Sequence, residues 1–168
     1  MRSLAVLLLA SLLWPAKGVV ATSATQFPDP AFMGLLELIH WPGSPLPGQR
    51  LIVGVAGFAG VHPATVVSPG HRLVEFRRVS VIGEMKACHV VVFGRILSSE
   101  MPAMLQALQA DRVLTVAAVP GFARRGGLVE LISAPGRRKI TLNSAAARQA
   151  GFRIHPTLMR VADFLPRE

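Results

Sequence analysis

The 168-residue sequence holds one cysteine, Cys88, and only nine acidic side chains. A lone thiol excludes a disulfide within the chain, although the N-terminus argues for export, where disulfides are usually available. So few carboxylates leave little for paired acid-base catalysis, and no GxSxG or recognisable Ser, His and Asp grouping occurs. Of the five histidines, His40, His62, His71, His89 and His155, only His89 adjoins a Cys, the single Cys88, and none stands at short spacing with another His or with clustered carboxylates. No metal-ligand pattern results. GxGxxG and the Walker lysine are absent too. Basic residues come singly or in the pairs Arg77-Arg78, Arg124-Arg125 and Arg137-Arg138, without the dense stripe and interleaved aromatics of a nucleic-acid binder. The expectation is a non-enzyme with no catalytic residue, metal, cofactor or nucleic-acid partner.

Long hydrophobic runs are scarce as well. The one present, Leu4 to Trp14, follows Arg2 and precedes the small residues Val19, Ala21, Thr22, Ser23 and Ala24, the layout of a secretory signal peptide. Pro15 and Lys17 break it short of the roughly 20 apolar residues of a membrane span. Cleavage is expected after Ala21 or Ala24, with residues 1–24 as signal and 25–168 as a single α/β domain. Losing Arg2 and Lys17 lowers the formal charge from +9 to +7. The chain stays basic, which bears on association rather than on fold.

What is present reads as alternating helices and strands. Phe32, Leu35, Leu36 and Ile39 stand at helical spacing within Ala31 to His40, and Trp41-Pro42-Gly43 ends that helix before a Pro- and Gly-rich loop at 42–49. Short apolar runs at Arg50–Ala56, Arg72–Val79, Cys88–Phe93 and Arg112–Ala117 read as strands, the last two apolar enough for burial on both faces. Between those two, Ser98–Leu108 reads as a helix capped by Ser98 or Ser99, giving a right-handed crossover and a parallel pair. Gly127–Ile132 and Arg138–Leu142 flank Pro135-Gly136 and predict an antiparallel hairpin at the sheet edge. Asn143 or Ser144 then caps a helix that Gly151 ends, and Pro156 opens a last helix over Thr157–Phe164. The fold class is α/β, a three-layer-like sandwich with a central, mostly parallel sheet, flanking helices and a C-terminal edge hairpin.

Candidate sites lie mainly in the stretch from Pro120 to Leu165. Arg124 and Arg125, in a loop with Gly121, Gly126 and Gly127, are candidates for a small-anion site, although the loop leads into a strand rather than a helix. Gly54–Gly60 also follows a strand but carries no phosphate-loop pattern. Arg153 and His155, two apart in an extended link, project from one face and form a candidate carboxylate or phosphate clamp. His89, in an apolar strand, reads as a core histidine, and Cys88 as a packed thiol or a reactive one. For a partner surface, Val129, Leu131 and Leu165 are the expected apolar anchors and Arg148 the rim, with the core of the fold as the competing assignment for the apolar three.

Several of these pieces occur together in one known family. The helix ending at Trp41-Pro42, the strand Cys88-His89-Val90-Val91-Val92-Phe93, and Pro120-Gly121-Phe122-Ala123 followed by Gly126-Gly127 stand in the family's order. Ile140-Thr141-Leu142-Asn143 then leads into Ala145-Ala146 and Ala150-Gly151-Phe152-Arg153-Ile154. From about Ala31 to Leu165 the chain resembles the YfiR family of periplasmic proteins. The resemblance implies an α/β sandwich that tends to dimerise. It also implies a periplasmic repressor that holds the sensor domain of an inner-membrane diguanylate cyclase inactive, lowering cyclic di-GMP and with it exopolysaccharide and biofilm. An outer-membrane lipoprotein is the further partner in the Pseudomonas-type system. Small-ligand binding in the family maps onto Arg153 and His155. Family members often carry a disulfide between a cysteine preceding the motif histidine, as Cys88 does, and one in the first strand, where this chain has Val53-Gly54-Val55. The bridge is therefore excluded here. The alternative function is a periplasmic small-ligand sensor component for another membrane receptor.

Overall fold

The computed structural model describes residues 30–43, 50–58, 62–94, 99–134 and 137–165. The expected signal peptide, residues 44–49 of the first loop, Ser98, the end of the Gly54–Gly60 stretch and the Pro135-Gly136 turn lie outside the described residues. In chain order the elements are α1 Pro30–Glu37, β1 Ile39–His40, β2 Leu51–Ala56, β3 Ala64–Val67, β4 Leu73–Arg78, α2 Ile82–Lys86, β5 Val90–Phe93, α3 Met101–Ala110 and β6 Leu114–Ala117. After them come one 3-10 turn at Ala123–Arg125, β7 Val129–Ala134, β8 Arg137–Leu142, α4 Ser144–Gln149, β9 Arg153–Ile154, α5 Pro156–Val161 and β10 Asp163–Phe164.

Eight strands form one sheet in the order β10-β8-β7-β6-β5-β2-β4-β3. Only β8 with β7 and β4 with β3 pair antiparallel, so the sheet is mostly parallel. Its central strands are buried on both faces, and alternation splits their side chains between two cores. Val53, Val55, Val90 and Val92 pack with Phe32, Leu36, Ala147 and Leu158 on the side of α1, α4 and α5. Val91, Phe93 and Ala117 pack with Met85, Leu105 and Leu108 on the side of α2 and α3. Helices thus cover both faces, as a largely parallel sheet requires. Thr115, 1% exposed, fits this apolar setting because its Oγ1 accepts a hydrogen bond from Leu128 N at 3.0 Å.

The departures from the sequence reading cluster at element ends. The first helix stops at Glu37, and Ile39-His40 becomes a strand paired with β9. The capping position of α3 is Glu100 rather than Ser99, with Pro102 in the first turn. The last helix stops at Val161, where Ala162 turns extended at φ −98° and ψ 144°. Asp163-Phe164 then pairs in parallel with Thr141-Leu142, so the hairpin is covered at its end and β10 is the edge. The opposite edge, β3, had no counterpart in the sequence reading. Asn143 caps α4 as expected, its Oδ1 accepting from Ala146 N at 3.0 Å, and Gly151 follows at φ +78°.

Candidate functional site

The C-terminal segment is anchored before it is displayed. Phe152, buried, meets Trp41 edge-on with ring centroids 6.1 Å apart, which fixes the start of β9. Strand β9 then runs antiparallel to β1, placing Ile154 opposite Ile39 and Arg153 opposite His40. Ile39 goes into the core while His40 and Arg153 stay exposed. His155 N donates to Leu38 O at 2.8 Å, extending the tie by one residue.

His155 is the N-cap of α5, its Nδ1 accepting from Thr157 N at 3.2 Å. With Nδ1 an acceptor, the neutral ring carries its proton on Nε2. The ring lies nearly parallel to that of His40, 26° between planes and 6.3 Å between centroids. Arg153, His155 and His40 therefore form one exposed group. Its donors suit a carboxylate or phosphate. Sequence reading picks two of the three and misses His40, whose only signal was the two-residue alternation Ile39-His40 against Arg153-Ile154. Beside the group, α5 buries Leu158 and exposes Met159 at 52% and Val161 at 65%.

Arg124 and Arg125 stand elsewhere, on the 3-10 turn. Most of the loop's amides are already engaged, which leaves little for a backbone anion cradle. Phe122 N, Arg125 N, Gly126 N and Gly127 N all donate to carbonyls within the loop, and Ala123 N donates to Glu130 Oε2 at 3.2 Å. Arg125 donates to Pro120 O at 3.1 Å. Arg124 instead lines an open cleft of about 290 Å³ with Gly121, Glu130, Lys139, Thr141, Asp163, Phe164 and Leu165. That lining includes neither Arg153 nor His155.

The partner surface needs correcting at two positions. Val129 is 1% exposed and Leu131 8%, both in the core cluster with Leu142 and Ala147. The strand they share is covered, so neither is available to a partner. Arg148 is exposed on α4 and Leu165 is half-buried at the cleft.

His89 is held by the backbone on three sides. Its Nδ1 accepts from Ile52 N at 3.0 Å, its amide donates to Ile52 O at 2.9 Å, and its carbonyl accepts from Trp41 Nε1 at 3.1 Å. Burial, with a smaller push from the Arg72 charge, lowers its pKa below the ordinary histidine value. It is a packed histidine rather than a surface ligand. Cys88 is a free, buried thiol.

A family model described as YfiR/HmsC-like matches residues 31–163, which takes in the β1–β9 pairing, the cleft strands and the sheet. No curated protein matches the chain. Among solved structures, a conserved domain protein from Vibrio cholerae O1 biovar El Tor superposes with a TM-score of 0.58 at 13% identity, over 82% of this chain and 60% of that one. That likeness supports the fold, and this chain spans only about 60% of the Vibrio protein's length. A Streptococcus pneumoniae ABC domain in complex with L-Trp is more distant, with a TM-score of 0.46 at 10% identity over 68% of this chain and 56% of that one. Among the described residues no helix is long and apolar enough to cross a membrane.

Proposed function

This chain belongs to the YfiR/HmsC-like family, and we propose that it is a periplasmic regulatory binding protein that represses an inner-membrane diguanylate cyclase by docking on the cyclase's periplasmic sensor domain. The observation carrying this reading is the family match over 31–163, which spans nearly every described element. Repression needs no chemistry. A protein that binds only the inactive sensor conformer shifts the population by its differential affinity, and about 4 kcal/mol of preference corresponds to roughly a thousandfold suppression.

The docking face is the surface around β9 and α5. Met159 and Val161 offer exposed apolar area, and Arg153, His155, His40 and Arg160 surround it with cationic or hydrogen-bonding groups, the core-and-rim arrangement of an interface. Arg153 and His155 also support a ligand input at the same face, the arrangement of a small-ligand sensor. A ligand clamped there competes with the sensor domain or reinforces its docking. Secretion through a cleaved leader at 1–24, a homodimer and capture by an outer-membrane lipoprotein belong to this reading as proposals.

The test is genetic and biochemical together. Deleting the gene raises cyclic di-GMP, and the tagged protein expressed in its own host brings down a membrane-bound cyclase. Unchanged dinucleotide with no cyclase among the co-purifying proteins overturns the reading.

A further inference from the structure

The cleft between the 3-10 turn and the last strand has no part in the docking face, and it is large enough to admit a small molecule. Its volume of about 290 Å³ is near the lower end of the range for ligand pockets, roughly 300–1,000 Å³. Two of its four charged side chains, Lys139 Nζ and Asp163 Oδ2, engage each other at 3.3 Å. Glu130, 9% exposed, uses its Oε2 on Ala123 N. The Arg124 guanidinium has no hydrogen-bond or ion-pair partner among the described residues. Phe164, 38% exposed, and half-buried Leu165 supply an apolar wall beside it.

We propose that this cleft binds a small monocarboxylate with an apolar body, the carboxylate meeting the fork of Arg124 and the body lying on Phe164 and Leu165. An arginine fork accepts a carboxylate through two parallel hydrogen bonds. With Lys139 paired to Asp163 and Glu130 engaged by Ala123 N, Arg124 is the cleft cation left for a ligand anion, and the neighbouring Phe164 and Leu165 favour an apolar remainder. The three walls belong to separate segments: the turn bearing Arg124, strand β8 with Lys139 and Thr141, and strand β10 with its following Leu165. Strand β10 is held by two register pairs with β8 and by Leu165 N donating to Leu142 O at 3.1 Å. A ligand spanning the cleft therefore pins the C-terminal strand to the sheet. This inference stands apart from the identity of the membrane receptor.

The test uses 3-phenylpropionate as the probe on the secreted form of the chain, with 3-phenylpropylamine as the control of opposite charge. Calorimetry is expected to show saturable binding of the acid and none of the amine. Arg124→Ala weakens the acid at least about tenfold, Arg124→Lys only in part, and Arg78→Ala, an exposed position on β4 at the far side of the sheet, leaves it unchanged. Asp163→Asn releases Lys139 and tightens binding roughly threefold. Exchange of the Leu165 amide slows about tenfold at ten times the dissociation constant, by mass action. No heat up to about 10 mM acid, equal binding by Arg124→Ala, preference for the amine, or loss in Arg78→Ala overturns the proposal. Arg124 is exposed, so its variants test binding without testing folding.

Discussion

A Cβ built on Gly54 falls 2.9 Å from the Cys88 sulfur, so the glycine of β2 leaves the space that the thiol fills. The thiol donates to Glu84 O at 3.3 Å, and burial raises its pKa above the ordinary thiol value, with Arg77 opposing weakly. A neutral, buried thiol is a poor nucleophile. Ellman's reagent should therefore modify native Cys88 slowly and denatured Cys88 fully.

The same geometry predicts an engineered bridge. In Gly54→Cys the new Cβ stands where a disulfide to Cys88 is sterically reachable, and oxidation should consume both thiols within one monomer. Cross-linking a loop of this length stabilises by about 4 kcal/mol in the chain-entropy view. Val79 Cγ2, also 2.9 Å from that Cβ, must give way and subtracts strain. Gly54→Ala meets the same crowding without the bond and should lose about 1–3 kcal/mol. Urea melts with and without reductant separate the two variants; a Gly54→Cys protein that keeps two free thiols under oxidation refutes the geometry.

His89 makes stability fall with acid in a defined window. Its folded pKa is depressed by burial and by Arg72, so the unfolded chain takes up the proton first. The contribution is fully present above the unfolded value near about 6.5 and is lost as pH falls through the folded value. His89→Gln retains an acceptor for Ile52 N but does not titrate. Its urea midpoint should be flatter than the parent's below about pH 6.5, and parallel profiles would assign the slope to other groups. Glu75, lowered by hydrogen bonds from Arg77 and Arg50, and Glu84, lowered by the amides of Ser80 and Val81, act only in the more acidic carboxylate range, so the difference between the two proteins isolates the histidine.

Asn143 joins two parts of the C-terminal block. Its Oδ1 caps α4 while its Nδ2 donates to Ala123 O at 3.1 Å on the 3-10 turn. Asn143→Ala should cost about 1–2 kcal/mol through the lost cap. Asn143→Asp keeps the cap and loses the donor, so it should fall between. A denaturant series in which aspartate equals alanine would show that the tie to the turn, rather than the cap, matters.

How much of this was legible follows from which forces each feature depends on. Strands β2, β5 and β6 are runs of apolar or β-branched residues, β4 alternates buried Val74 and Phe76 with more exposed positions, and the Asn143 cap and Gly151 stop are local chemistry. All were readable from sequence. Strands β1, β9 and β10 are two residues each and exist only because a distant partner pairs with them, so His40 could not be placed beside Arg153 in advance. The assignment of Val129 and Leu131 failed for a related reason. Val129, Glu130 and Leu131 are all buried, because β7 lies inside the sheet between β6 and β8. An alternating strand with one open face would have looked the same in sequence.

That failure separates two sets of substitutions. Val129→Ala and Leu131→Ala remove buried side chains that touch the sheet core, and should cost about 1–4 kcal/mol whatever the partner does. Their effect on repression should track the amount of folded protein. Met159→Glu and Val161→Asp place charge on exposed positions of α5, where the fold loses little but an apolar interface loses its anchor. These two should release cyclic di-GMP in the host at unchanged Tm and periplasmic level. Arg153→Ala belongs with them if the cationic rim takes part in docking, and its loss of repression should deepen at low ionic strength, where the rim charge counts most. Full repression by both α5 variants would remove this face as the docking surface and leave Arg148 on α4 as the next exposed position to probe.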